Sequence, residues 1–163
     1  MDRAVDIAQY IYLEYKKISG KVIDEMKLHK LLYFSQRESL ALTSEPMFKE
    51  EFEGWKYGPV CKEVRCYYTE DGMCYDDIKE ISLENAYIVK NIILQYGGYE
   101  SWKLSELSHK EISWRNSRKG ILEGRNGNKK LKLDDIRKDA EKVRPYDSVW
   151  DMYYDEFEDM EVL

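Results

Sequence analysis

Apolar and polar residues recur with helical spacing along most of this chain. Over the first segment the apolar positions are Ala4, Ala8, Ile11, Tyr15 and Ile18. Steps of three or four residues place these side chains on one face of an amphipathic helix. Gly20 suits a helix C-terminus, so we expect this helix to end just before it.

A longer helix is predicted from Asp24 to Thr43 or Ser44. Asp24 is a favourable N-cap, and Pro46 follows shortly after the expected end. The face that we expect to be buried carries Leu28, Leu31, Leu32, Ser35 and Leu42. Both opening helices favour an α-helical domain.

The helical pattern is interrupted at residues 52–57. Alternation along FEGWKY predicts a short extended segment here. Gly58-Pro59 then indicates a turn, and Pro59 suits the first position of a helix that we expect to run to about Tyr68. Residues 69–77 are predicted to be a loop.

Shorter helices are predicted in the second half of the chain. Ser82, Ser101 and Ser113 each suit an N-cap, for helices over LENAYIVKNIILQY, WKLSELSHK and WRNSRKG. A further helix is expected from Leu133 to Lys142. The predicted fold class is therefore all-α or α-dominated, with residues 1–143 forming a compact multi-helix single domain that has one short extended segment before the Gly-Pro turn.

Residues 144–163 combine an aromatic stripe with a cluster of acidic residues, and we expect them to form a separate acidic amphipathic helix. This segment holds seven acidic residues against one basic residue, which equals the whole net charge of −6. Such a helix can bury its stripe against its own body or against another protein. Residues 113–132 are basic, so internal pairing with the tail and two separate partner faces are both open alternatives.

Composition and charge narrow the class of protein. With 26 basic and 32 acidic side chains among 163 residues, direct nucleic-acid binding is not expected. No apolar stretch approaches the roughly 20 residues of a membrane span, and the charged N-terminus does not read as a signal peptide. Three cysteines are too few for a disulfide framework and favour a reducing compartment. We therefore expect a cytoplasmic protein that makes no membrane contact.

The sequence contains no recognisable motif for catalysis or cofactor binding. Cys61, Cys66 and Cys74 lack the paired spacing of a zinc site and are expected to be ordinary, mostly buried thiols. Neither His29 nor His109 lies in a local pattern that would activate a thiol, and no glycine motif for phosphate is present. We therefore expect no metal, no cofactor and no enzyme activity.

Aromatic residues are the positive signal in the composition. The chain has 4 Trp, 14 Tyr and 4 Phe, and such side chains dominate the energetics of cores and of interfaces. We expect Trp102 and Trp114 to lie mainly in the core. Trp55, Tyr57 and the aromatic residues of the tail are candidates for contact with a partner protein.

Three motifs occur in order between Met26 and Trp114. They read MKLHKLLYFSQRESLALTSEPMF, FEGWKYGPVCKEV and YESWKLSELSHKEISW. Together they resemble the Panacea domain of SocA-like antitoxins and phage-associated proteins, whose first motif typically reads LKLQKLLYFAQ. The chain departs mildly from this pattern at His29, where Gln is common, and at Gly54, where Ala is common.

The resemblance implies a helical antitoxin that binds and neutralises a protein toxin without a catalytic residue of its own. Aromatic side chains would bury apolar toxin surface, while carboxylates would pair with basic toxin residues. Two alternatives accompany it: a proteolytic adaptor that delivers a toxin to a AAA+ protease, and a phage-encoded inhibitor of a host defence protein. We expect a stoichiometric complex with a cognate toxin.

The motifs supply scaffold positions and some candidate contacts, and the other candidate contacts come from the aromatic residues and the acidic tail. The scaffold positions are Leu28, Leu31, Leu32, Gly58, Pro59, Val60, Trp102, Leu104, Leu107, His109 and Trp114. The candidate partner contacts are Lys27, Lys30 and Tyr33, if these are exposed, together with Trp55, Tyr57, Trp150, Asp151, Tyr153, Asp155, Phe157 and Glu158.

Overall fold

The computed structural model describes residues 1–144 of the chain, in which seven helices and four short strands occur. The helices are α1 (Ala4–Ser19), α2 (Glu25–Thr43), α3 (Lys62–Arg65), α4 (Leu83–Tyr96), α5 (Ser101–Ser108), α6 (Ile112–Ser117) and α7 (Leu133–Glu141). The strands are β1 (Glu53–Trp55), β2 (Gly58–Val60), β3 (Tyr68–Thr69) and β4 (Gly72–Met73). β1 pairs with β2 and β3 with β4, each pair antiparallel.

The helix boundaries follow local capping chemistry. The Asp24 side chain accepts a hydrogen bond from the backbone N–H of Lys27 at 2.8 Å, and Ser82 accepts one from Asn85 at 3.2 Å. Gly20 ends α1 in the left-handed conformation, with φ of 74°. The predicted ends of α1, α2 and α4 are therefore confirmed.

The long helix α2 lies at the centre of the fold, where it packs against α1, α4, α5, α7 and β2. Leu28, Leu31 and Leu32 are fully buried, as predicted. Burial of each such side chain contributes roughly 1.5–3 kcal/mol to folding. Leu42 was expected on the same face but is half exposed, because it lies two residues, or about 200°, beyond the inward-facing Leu40.

Polar side chains of α2 are also buried, and they tie the helix to α6 and α7. The Tyr33 hydroxyl lies 2.8 Å from Ser113 Oγ and donates a hydrogen bond to Asp139 Oδ2 at 3.1 Å. Asp139 also accepts the backbone N–H groups of Ile112 at 2.7 Å and of Ser113 at 3.0 Å. One carboxylate of α7 therefore holds both the first turn of α6 and the centre of α2.

Two predictions for residues 59–77 are wrong. Gly58-Pro59 does not begin a helix that runs to Tyr68, because Gly58–Val60 forms β2 and only the single turn of α3 follows. Residues 69–77 are not all loop, since β3 and β4 form a small hairpin. The fold is thus helix-rich, as expected, but it is not purely α.

The short helices α5 and α6 begin differently from the prediction. Their N-cap positions are Glu100 and Glu111 rather than Ser101 and Ser113. Trp102 was expected in the core but is 65% exposed. The reason is that Leu104, two residues further along α5, is fully buried and points to the opposite side of the helix.

No helix within residues 1–144 combines the length and the apolar character needed to cross a membrane. The predicted acidic helix and its candidate contacts, Trp150, Asp151, Tyr153, Asp155, Phe157 and Glu158, lie outside the described residues, so the division of the chain at residue 143 stays a prediction.

Candidate partner-binding surface

The second motif folds as a tight hairpin of β1 and β2. Trp55 pairs with Gly58, which leaves Lys56 and Tyr57 as the two residues of the turn. Gly58 has φ of 120°, a conformation that other residues rarely adopt. A Cβ at Gly58 would also overlap Lys30 and Ser108. Glycine is therefore required here for the turn and for close packing on α2 and α5.

Side chains from three helices bind the backbone carbonyl groups of this hairpin. The Trp114 indole N–H donates to the Trp55 carbonyl at 2.8 Å, and Ser105 Oγ donates to the Tyr57 carbonyl at 2.6 Å. Lys30 Nζ donates to the Pro59 carbonyl at 3.0 Å. These bonds satisfy buried acceptors and hold the turn in one position on the body of the domain.

The turn presents aromatic and basic side chains together. Tyr57 is 54% exposed, and Lys56 lies over its ring at 5.1 Å from the centroid. Trp55 is half-buried, with Arg65 of α3 at 5.0 Å from the ring centroid. We call Trp55, Lys56 and Tyr57, with the flanking Arg65 and Arg115, the hairpin surface.

A cavity of about 530 Å³, the α6 cavity, lies on one side of the hairpin. Its lining includes Tyr57, His109, Trp114, Arg115 and Glu123. The rings of His109 and Trp114 are stacked with centroids 4.0 Å apart and planes 10° apart. Burial lowers the pKa of His109, and the nearby charge of Lys30 lowers it further, which favours the neutral imidazole in this stack.

A second cavity of about 350 Å³, the α2 cavity, also borders the hairpin. Its lining consists of Glu25, Met26, His29, Lys30, Trp55, Lys56, Tyr57, Val60, Arg65 and Asn126. Three cationic side chains and one carboxylate therefore face this space. The hairpin surface and both cavities are basic, although the whole chain is acidic.

The structure brings Trp55 and Tyr57 together at the surface, but it does not place the three α2 candidates there. Lys27, Lys30 and Tyr33 are all buried, with exposures of 8%, 2% and 0%. Lys27 Nζ donates to Tyr15 Oη at 3.2 Å and to the Gly97 carbonyl at 3.0 Å. None of the three is thus exposed on the outer surface, because neighbouring elements cover this face of α2, although Lys30 also lines the α2 cavity.

Of the scaffold positions, all but the exposed Trp102 are buried or half-buried. Leu104 is fully buried, Val60 is nearly so, and Leu107 packs against the core from a half-buried position. Trp114 is half-buried rather than central, since one face stacks on His109 at the edge of the α6 cavity.

The thiol chemistry differs from a nucleophilic site. Burial raises the pKa of Cys61 to about 12, and the Glu63 carboxylate adds to the shift. His29 is adjacent, but its Nδ1 accepts the backbone N–H of Cys61 at 3.3 Å instead of the thiol proton. Cys66 and Cys74 are exposed, which corrects the expectation that most thiols are buried. Residues 1–144 contain no group of three or more His, Cys, Asp or Glu placed to hold a metal ion.

Sequence reasoning missed Arg65, Lys56 and Arg118 as part of this region. Arg118 Nη1 donates to the Gly54 carbonyl at 3.1 Å, and its guanidinium lies 5.5 Å from the centroid of the Trp114 ring. Lys56 lies within the hairpin motif itself, but nothing local in the sequence places Arg65 and Arg118 beside the hairpin. For Arg118 the available signal was the excess of basic residues over 113–132.

The chain matches a known protein family. A family model described as antitoxin SocA-like, Panacea domain, matches residues 28–115, which is more than half of the chain. The matched range begins in the first turn of α2, ends within α6 and contains the whole hairpin surface. No curated protein and no solved structure matches the chain.

Proposed function

The chain belongs to the SocA-like antitoxin family defined by the Panacea domain, and from this premise we propose that it neutralises a cognate protein toxin by binding it directly through the hairpin surface. Family membership supports an antitoxin role in general. The identity of the contacting surface and the mode of neutralisation are the content of the proposal.

The observation that carries the proposal is the exposed Tyr57 on a turn whose backbone is fixed. Hydrogen bonds from Trp114, Ser105 and Lys30 hold the carbonyl groups of the hairpin. A side chain on such a turn loses little further conformational freedom when a partner binds, so more of its contact energy appears as affinity. Aromatic anchors with two χ angles are typical of binding hot spots.

This geometry supports neutralisation by occlusion. Trp55 and Tyr57 would bury apolar toxin surface, while Arg65 and Arg115 would attract acidic groups around its rim. From the sequence we expected carboxylates of this protein to pair with basic toxin residues. At the hairpin the charges are the other way round, since the region around it is basic. The acidic residues of 144–163 remain our proposed second contact, on a basic part of the toxin.

We also propose that the protein acts by binding alone and makes or breaks no covalent bond. Cys61 keeps its proton at neutral pH because burial raises its pKa, and its thiol lies 3.5 Å from the carboxylate Glu63 Oε2, which cannot stabilise a thiolate. His109 stacks on Trp114 rather than facing a thiol. These contacts support a binding surface over a nucleophilic centre.

Co-expression with the neighbouring reading frame tests the proposal. The neighbour is expected to be toxic alone, harmless beside this protein, and to co-purify with it in a stoichiometric complex. A neighbour that remains toxic beside the intact protein, and never co-purifies with it, contradicts the proposal.

The toxin's half-life separates occlusion from delivery to a protease. We expect the half-life to be unchanged while neutralisation is complete, in cells with and without their AAA+ proteases. A half-life that shortens only when both the protein and a AAA+ protease are present would replace occlusion by the adaptor mechanism.

A further inference from the structure

Two adjacent residues of α2, His29 and Lys30, line the α2 cavity and have incomplete hydrogen bonding. Both side chains are 2% exposed. The His29 Nδ1 atom accepts the backbone N–H of Cys61 at 3.3 Å. A neutral imidazole with an accepting Nδ1 carries its proton on Nε2, so Nε2 is a hydrogen-bond donor.

The Nε2–H group of His29 makes no hydrogen bond of good geometry within the described part of the chain, and its one polar contact, with Glu25, still lowers the pKa of that carboxyl. Glu25 Oε1 lies 3.5 Å away, at the outer limit for an N–H donor. The same oxygen already accepts a hydrogen bond from Arg65 Nη1 at 2.9 Å. A buried donor with only this long, shared contact is poorly satisfied, and it lies here beside an open space.

Lys30 is the second incomplete group. Its ammonium has three N–H donors and donates to one acceptor, the Pro59 carbonyl, at 3.0 Å. Among residues 1–144, no carboxylate forms an ion pair with Lys30 within 4 Å. Asp24 and Glu25 act on Lys30 only from beyond this distance, so its remaining N–H donors are available to a further acceptor.

The chemistry of the cavity lining and the volume of the cavity suit a single acidic side chain. Lys56 and Arg65 add positive charge at its edge, while Trp55, Tyr57 and Val60 supply apolar contact for methylene groups. A volume of about 350 Å³ admits a side chain from outside without displacing the domain's own residues. The entrance is continuous with the hairpin surface, because Trp55, Lys56 and Tyr57 belong to both.

We propose that the α2 cavity receives an aspartate or glutamate side chain of the toxin, whose carboxylate accepts hydrogen bonds from Lys30 Nζ and His29 Nε2. The inference rests on the proposed function and names the chemistry of the contact. The hairpin surface would then provide apolar area, and this cavity would select for an acidic residue at one position of the toxin.

The protonation of Lys30 couples this contact to pH. Burial lowers the pKa of Lys30 to about 7, against the opposing effect of Asp24 and Glu25. Two histidines also interact with its charge, His29 and His109. A carboxylate in the cavity would favour the ammonium form. Binding should therefore take up protons near neutral pH and weaken as the pH rises above 7.

A carboxylate probe tests the cavity without the toxin. The side-chain ¹⁵N resonances of His29 are followed by NMR in the full-length protein, during titration with N-acetyl-L-glutamate N′-methylamide. The matched neutral probe is the corresponding glutamine derivative. We expect saturable shifts at His29 with the glutamate probe and none with the glutamine probe. No saturable shift, or equal shifts with both probes, would overturn the inference.

Lys30→Met and Lys27→Met form a matched pair of variants. Both residues are buried lysines on α2, but Lys27 donates to Tyr15 Oη and the Gly97 carbonyl and does not line the cavity. Lys30→Met is expected to raise the dissociation constant of the glutamate probe by about tenfold or more, while Lys27→Met leaves it unchanged. If Lys30→Met does not fold, the wild-type titration with the two probes decides the question.

Measuring toxin binding by the wild-type protein and by Lys30→Met distinguishes failure of this inference from failure of the proposed function. If the wild-type protein binds the toxin and a folded Lys30→Met variant binds it with the same affinity, the acidic contact is refuted and the antitoxin proposal stays intact. Failure of the wild-type protein to bind any toxin would refute the antitoxin proposal, whatever the probes show.

Discussion

The indole N–H of Trp114 in α6 donates a hydrogen bond of 2.8 Å to the backbone carbonyl of Trp55 in β1. The bond connects the third motif of the sequence to the second and fixes one end of the turn that presents Tyr57. Since the Trp114 ring also stacks on His109, one side chain forms part of the α6 cavity and supports the hairpin.

Trp114→Phe tests this connection because it retains an aromatic ring and removes the donor. We expect the free energy of unfolding to fall by about 1 kcal/mol, the cost of one lost hydrogen bond to a carbonyl. Urea denaturation followed by fluorescence measures the change. Trp102→Phe, at an exposed position of α5, should change stability by less than about 0.5 kcal/mol. Equal stability of both variants and the wild type would show that the bond contributes nothing.

Gly54→Ala should be destabilising because β1 approaches α6 closely at this residue. A Cβ at Gly54 would overlap the side chain of Ser117. Such overpacking costs about 1–3 kcal/mol. Thermal denaturation of Gly54→Ala measures the cost, with Gly98→Ala as the control, since a Cβ at Gly98 meets nothing within 4 Å.

A second substitution identifies the cause of that loss. Ser117→Gly removes both atoms that the new Cβ would overlap. Gly54→Ala should therefore cost much less stability when it is added to Ser117→Gly than when it is added to the wild type. Strictly additive losses in the two single variants would place the origin of the effect elsewhere.

Asp139→Asn should weaken the attachment of α6 and α7 to α2. The carboxylate accepts two backbone N–H groups and the Tyr33 hydroxyl, and an amide offers one accepting oxygen in place of two. We expect a loss of about 2 kcal/mol in the free energy of unfolding, as is typical for buried bonds to a charged acceptor. Asp134→Asn, at an exposed position of the same helix, is the matched control. A loss no larger than that of the control would contradict this role.

Stability should depend on pH through Lys30. Burial lowers its pKa to about 7 in the folded protein, whereas the unfolded chain keeps the proton to about pH 10.4. The unfolded state therefore binds more protons between these values, so the free energy of unfolding rises with pH, by at most about 1.4 kcal/mol per pH unit from this group. Urea denaturation between about pH 7 and pH 9 should show a steeper rise in the wild type than in Lys30→Met. Parallel curves would mean that Lys30 does not titrate in this range.

The helices that the sequence predicted well are those defined by contacts between near neighbours. Asp24 and Ser82 accept hydrogen bonds from backbone groups three residues ahead, and Gly20 ends α1 through its own conformational freedom. Each of these signals lies within one turn of the boundary that it determines, so tertiary structure does not need to be known.

The β1–β2 hairpin was not predictable in the same way. Pro59 suits a helix start by local rules, but here it lies opposite Gly54 in the strand pair. The reason is tertiary, since the Pro59 carbonyl accepts a hydrogen bond from Lys30, twenty-nine positions earlier in the chain. The extended character of residues 52–57 was recognised, but its partner strand was not.

Local sequence patterns also could not predict which polar residues are buried. Lysine is usually exposed, and Lys27 and Lys30 became buried only because other elements cover α2. Trp102 shows the converse, a large aromatic residue left exposed because Leu104 occupies the inward face of α5. Of the candidate contacts within residues 1–144, Trp55 and Tyr57 were identified as aromatic side chains, whereas Arg65 required the packing of α3 beside the hairpin.

The affinity of the toxin for the wild-type protein and for two tyrosine variants tests the central claim most directly. Tyr57 and Tyr99 are exposed to similar extents, 54% and 46%, but only Tyr57 lies on the hairpin surface. By isothermal titration calorimetry with the purified toxic neighbour, we predict that Tyr57→Ala weakens binding about thirtyfold, or about 2 kcal/mol, and Tyr99→Ala by less than about twofold. Binding of Tyr57→Ala with wild-type affinity, or equal losses in the two variants, would contradict the account.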